Sequence, residues 1–107
     1  MKVLITGTSR GIGKAIAERF LKEGHTVFGI DRNEKSIESD NYTHFVLDVR
    51  KKENYPEIDG IDILINNAGT QNEADIDINL KSLTLLLEKF SPIQLCPNNR
   101  GICFLFF

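Results

Sequence analysis

The stretch TGTSRGIG at residues 6–13 restricts the fold of this chain more than any other feature. Gly7, Gly11 and Gly13 punctuate a loop that follows the apolar run KVLI at 2–5 and opens an amphipathic segment. A glycine-rich turn between a strand and a helix lets backbone approach a pyrophosphate closely, and the helix N-terminus supplies unpaired N–H groups and a favourable dipole. In that reading Gly7 makes the tight turn, Gly11 admits the phosphate, and Gly13 lets helix and strand pack closely. A bare glycine pattern also fits a plain strand-to-helix turn. The flanking strand and helix, with an acid about 20 residues further on, favour the binding loop. That acid is Asp31, at the end of the second apolar run.

The rest of the chain supplies the matching architecture. Short runs rich in Val, Ile, Leu and Phe at 2–5, 26–30, 43–47 and 61–65 predict strands buried on both faces. Their alternation with other segments predicts an α/β parallel sheet. In GIGKAIAERFLKEG at 11–24, Ile12, Ile16 and Phe20 recur every four residues with Ala15 beside them. This predicts a helix with that face inward, ended by Gly24. The segments after the second and third strands allow at most a short helix each. Further on, Leu80, Leu83, Leu87 and Phe90 share a helical face, with Leu86 alongside.

Composition excludes several functions. Thirteen Lys and Arg against 15 Asp and Glu give a net charge of −2, with no basic stripe, so no nucleic-acid partner is expected. Neither the N-terminal stretch nor the apolar end at 102–107 suits export or bilayer crossing, which predicts no membrane association and a cytoplasmic location. Cys96 and Cys103, with His25 and His44 distant in sequence, have the wrong spacing for structural zinc; no metal and no disulfide are expected.

Three ordered motifs carry a family resemblance over residues 1–90: TGTSRGIG, Asp48-Val49 after the third strand, and NNAG at 66–69. The chain resembles the short-chain dehydrogenase/reductases, including the 3-oxoacyl-carrier-protein reductases. The resemblance implies a Rossmann-like parallel sheet with helices on both faces, here an incomplete first half. It also implies hydride transfer between a nicotinamide cofactor and a carbonyl or hydroxyl substrate. By the same resemblance Gly7, Thr8, Ser9, Arg10, Gly11, Ile12 and Gly13 line the pyrophosphate and adenosine ribose. Asp48 and Val49 touch adenine, Asn66 approaches the nicotinamide-side ribose, and Ala68 and Gly69 shape the exit of the fourth strand. Asp31 implies NAD, since a carboxylate there binds a free ribose hydroxyl and repels the extra phosphate of NADP. Arg10 and Arg32, natural partners for a phosphate, keep NADP as the alternative.

The family's catalytic set is an Asn, a Ser and a Tyr-x-x-x-Lys pair. INLKS at 78–82 offers Asn79, which reads equally as a catalytic residue and as an N-cap or ordinary polar helix residue. Tyr42 is followed four residues on by Val46, and Tyr55 by Asp59, so neither tyrosine has its lysine. Residues 91–107, SPIQLCPNNRGICFLFF, read either as a truncated fifth strand or as an atypical tail of a frameshifted or truncated gene product. Three functions compete: an intact NAD(P)-dependent oxidoreductase, a non-catalytic dinucleotide binder, or an interaction module docking on a full-length relative; the absent Ser, Tyr and Lys favour an oxidoreductase by descent that is inactive or impaired as it stands. The leucine face at 80–90 predicts self-association.

Overall fold

The computed structural model describes residues 1–48, 51–67, 89 and 102–105. Strands β1 (Lys2–Thr6), β2 (Thr26–Asp31), β3 (Tyr42–Val46), β4 (Ile63–Asn66) and β5 (Ile102–Leu105) form one sheet in the order β3-β2-β1-β4-β5. Every pairing is parallel. This is the strand order of a doubly wound, Rossmann-like sheet, in which a ligand lies beyond the C-terminal strand ends where the order reverses. Here the reversal falls between β1 and β4. The segment GICFLFF thus supplies a strand, beside β4.

Register explains the core. Val3 stands beside Val27 and Ile63, and Ile5 beside Gly29 and Ile65, so these side chains share one face. Leu4, Ile30 and Leu64 point to the other. Helix α1 (Gly11–Lys22) covers the first face through Ala17, with Ile16, Phe20 and Leu21 packed against Val3, Ile5, Val27, Ile63 and Ile65. The inward stripe therefore runs through Gly13, Ile16, Ala17, Phe20 and Leu21. Ile12 is 66% exposed and Ala15 is also exposed, contrary to the expectation from the four-residue repeat. Close contact at Gly13 turns the smallest residue inward, and Ile12, about 100° away around the axis, is carried outward.

The helix ends as Gly24 predicts. Gly24, at φ 88°, donates its N–H to Leu21 O at 3.0 Å, and His25 donates to Phe20 O at 3.1 Å. This double bond pattern is a Schellman motif, and the Phe20 and His25 rings meet edge-on at 5.6 Å, its usual accompanying contact. Arg19 and Lys22 in the last turn complement the dipole.

The second face is covered differently. Tyr55 and Ile61 are buried against Leu4, Ile30 and Leu64, with Leu47 and Ile58 alongside. The connection between β3 and β4 contains a 3-10 turn, Lys52–Asn54, and the connection between β2 and β3 contains no helix. β3 departs from the expectation of two buried faces: Thr43 and Val46 are exposed, as suits the sheet's edge. The leucine face at 80–90 lies outside the described residues except for Lys89, which is helical and pairs with the Glu57 carboxylate. Among the described residues no helix is long and apolar enough to cross a membrane.

Candidate functional site

The glycine-rich loop sits at the C-terminal end of β1, between the ends of β2 and β4. Gly7 makes the turn at φ 79°, a left-handed conformation that favours glycine, and its N–H donates to Ile30 O at 2.7 Å. Gly13 performs the packing role expected of it. A Cβ built there would stand 2.0 Å from Gly7 O and 2.5 Å from Asn67 Nδ2, so only glycine lets the first turn of α1 reach the loop. Gly11, at φ 63°, has open space around the position of its missing Cβ. Arg10, extended and exposed, is the N-cap but makes no side-chain cap bond, and the first helical turn holds no acid. The helix thus presents its N–H groups and the positive end of its dipole without an internal anion. Ile12 stands exposed on that first turn.

Toward β2 the loop meets Asp31. Ser9 donates its N–H to Asp31 Oδ2 at 3.0 Å, and Asn33 donates its N–H to Asp31 Oδ1 at 2.9 Å. Each carboxylate oxygen keeps a further lone pair for hydroxyl donors. Ser9 Oγ donates to Glu34 O at 3.0 Å, and Ser36 Oγ donates to Ser9 O at 2.6 Å. Arg32 is exposed beside this cluster in sequence. Thr8, fully buried, lies 2.7 Å from Tyr42 Oη, which is in turn 2.6 Å from His44 Nδ1. Burial chiefly pushes the Tyr42 phenol upward; the hydrogen bond from Thr8 opposes this and the Asp31 charge adds to it.

Toward β4 the contacts come from amides. Thr6 Oγ1 donates to Asn66 Oδ1 at 3.0 Å in a buried bond, and Asn67 donates its N–H to Thr6 Oγ1 at 3.0 Å. Asn67 Nδ2 also donates to Gly7 O at 3.2 Å. Asn66 is therefore buried and engaged with β1.

Asp48 lies past the end of β3, half-buried. Its charge, after burial itself, helps push the Tyr55 phenol up to about 12. Val49, Ala68, Gly69 and Asn79 lie outside the described residues. The structure thus brings Gly7, Thr8, Ser9, Gly11, Gly13, Asp31 and Asn66 to one edge of the sheet. Sequence reasoning missed Gly29, Tyr42, His44 and Asn67. A signal for the first was present: a glycine within an apolar strand marks close approach by another group. Among the described residues no group of three or more His, Cys, Asp and Glu side chains converges on a metal position.

Comparisons with known proteins bear on the family and the fold. The family model for short chain dehydrogenase matches residues 1–96. The NADPH-dependent pterin aldehyde reductase of Arabidopsis thaliana is 32% identical, over 94% of this chain and 53% of its own length. The 3-oxoacyl-(acyl-carrier-protein) reductase FabG of Buchnera aphidicola is 37% identical, over 73% of this chain and 37% of its own. The closed form of serine dehydrogenase complexed with NADP+ superposes with a TM-score of 0.81 at 29% identity, over 98% of this chain and 53% of that one. The chain spans about half or less of the length of these relatives.

Proposed function

The chain belongs to the short-chain dehydrogenase family, and from that premise we propose that these 107 residues form the half of an NAD(P)-dependent oxidoreductase that holds the dinucleotide. The observation that carries this is the joint placement of the glycine-rich loop and the Asp31 carboxylate at the point where the strand order reverses. Gly7, Gly11 and the uncapped first turn of α1 receive the pyrophosphate, and Asp31 accepts from the adenosine ribose hydroxyls. Asp48 and Val49 flank adenine, and Asn66 to Gly69 shape the side toward the nicotinamide ribose. The bound dinucleotide supplies a hydride acceptor or donor.

NAD is the favoured form, because the Asp31 carboxylate repels a 2′-phosphate. Relatives described as NADPH-dependent, with Arg10 and Arg32 nearby in sequence, make NADP the competing ligand. These residues bind without turning over the cofactor. Tyr42 and Tyr55, the two tyrosines of the chain, are both buried in the core and neither precedes a lysine by four positions. A missing proton-transfer group typically costs ~10²–10⁴-fold in rate.

Calorimetric titration of the chain with NAD and with NADP tests the reading. The expected result is binding of both, NAD the tighter, with Asp31→Ala reversing or abolishing the preference. No binding of either dinucleotide would refute it. Steady hydride transfer to an acetoacetyl-type substrate would refute the claim of binding without turnover.

A further inference from the structure

Gly29, Tyr42, His44 and Asn33 form an arrangement that the binding loop by itself does not explain. Thr8 Oγ1 lies 2.7 Å from Tyr42 Oη, Tyr42 Oη 2.6 Å from His44 Nδ1, and His44 Nε2 2.9 Å from Asn33 O. The Asn33 N–H then reaches Asp31 Oδ1 at 2.9 Å, and Asp31 Oδ2 receives the Ser9 N–H at 3.0 Å. Because Ser9 follows Thr8 in the chain, the hydrogen bonds close a ring that begins and ends on the glycine-rich loop.

The ring has a direction. A carbonyl oxygen only accepts, so His44 Nε2 must carry a hydrogen to bond Asn33. In a neutral imidazole Nδ1 is then the acceptor, Tyr42 donates to it, and the Thr8 hydroxyl donates to Tyr42. Every polar atom in the series then donates or accepts in its proper role, with Tyr42 Oη doing both. The sheet also makes room for it. A Cβ at Gly29 would lie 2.0 Å from Tyr42 Oη and 2.5 Å from Thr8 Oγ1, so the bare backbone of β2 admits the phenol beneath the loop.

On the reading that this edge holds a nicotinamide dinucleotide, we propose that Tyr42, acting through His44, is a positioning residue that fixes Asp31 and Ser9 and thereby sets the discrimination between NAD and NADP. Tyr42 touches no ligand. It holds Thr8 from below and, through His44 and the Asn33 peptide, holds the carboxylate on which NAD depends. Loosening the ring weakens NAD, which uses the Asp31 carboxylate, more than NADP, which is repelled by it. A merely structural tyrosine would affect both dinucleotides alike.

The test uses the 107-residue chain, its Tyr42→Phe variant, nitrogen-15 spectra of the imidazoles, and calorimetric titration with each dinucleotide. The expected spectrum of the wild type shows His44 with hydrogen on Nε2, and Tyr42→Phe moves the Nδ1 resonance. The expected titration shows the ratio of NAD to NADP affinity falling roughly fivefold, the scale of one hydrogen bond. Wild-type His44 with hydrogen on Nδ1 alone would overturn the ring, whether or not the variant folds. An unchanged ratio in a variant that binds both would overturn the positioning role while leaving the binding reading intact. A wild type that binds neither dinucleotide overturns both.

Discussion

The two flanks of the glycine-rich loop are held by different physics. On the β4 flank the contact is steric and amide-based: Gly13 fits between Gly7 O and Asn67 Nδ2, and Thr6 bonds the buried Asn66. On the β2 flank a carboxylate, a phenol and an imidazole hold the loop through a series of hydrogen bonds that reaches the surface at Asn33. Close backbone packing cannot adjust by a few tenths of an ångström without loss, whereas a polar series partly open to water can exchange partners. The first flank therefore fixes where the loop is, and the second is the one that, on the proposed reading, would discriminate NAD from NADP.

Substitutions can break each flank separately. Gly13→Val is expected to be the most damaging. Its Cβ meets the Gly7 carbonyl, which cannot retreat because the Gly7 N–H is bonded to Ile30 O at 2.7 Å. A loss of about 3 kcal/mol in urea denaturation is expected, at the upper end for overpacking, with loss of dinucleotide binding. Gly29→Ala strikes the other flank and should cost about 2 kcal/mol. Because Tyr42 Oη is the nearest obstacle, the double variant with Tyr42→Phe should lose less than the sum of the singles, measured as a double-mutant cycle. Thr6→Val removes the hydroxyl that bonds Asn66 Oδ1 and the Asn67 N–H, and should cost about 1 kcal/mol while sparing the NAD to NADP ratio.

The smallest effect is expected at alkaline pH. The Tyr55 phenol is pushed up to about 12 and that of Tyr42 is also raised, so the fold favours the neutral form of each. Their contribution is complete below the ordinary tyrosine value of about 10; that of Tyr55 is lost as pH rises through about 12, and that of Tyr42 is lost above its ordinary value. With two tyrosines and no tryptophan, phenolate absorbance reads both directly. A tyrosine ionising in the ordinary range while the chain stays folded would contradict the burial described.

Much of the frame was legible in the sequence because its signals are local. The runs behind β1, β2 and β4, the glycine turn and the Gly24 stop each depend on a few neighbouring residues. The rotation of α1 was not legible, since Ile12 and Ile16 satisfy a helical repeat equally and only the Gly13 contact with Gly7 decides which faces inward. The Tyr42 series was hidden for a related reason. It needs the β2–β3 register that sets Gly29 beside His44, and register is a property of two strands together.

The wholly parallel pairing has a consequence for synthesis. No two strands of this sheet can be joined by a tight turn, and the Thr6–Asn66 bond spans 60 residues. A ribosome that has released the chain as far as Gly24 has delivered the glycine loop and its helix, yet neither neighbour of β1. Val3, Leu4 and Ile5, fully buried in the finished sheet, must wait uncovered until β2 and then β4 emerge. Low-speed assembly of such long-range pairs leaves the nascent chain adhesive during that interval. The strand that carries the loop thus waits on the most distant partner of any described strand pair, 60 residues downstream.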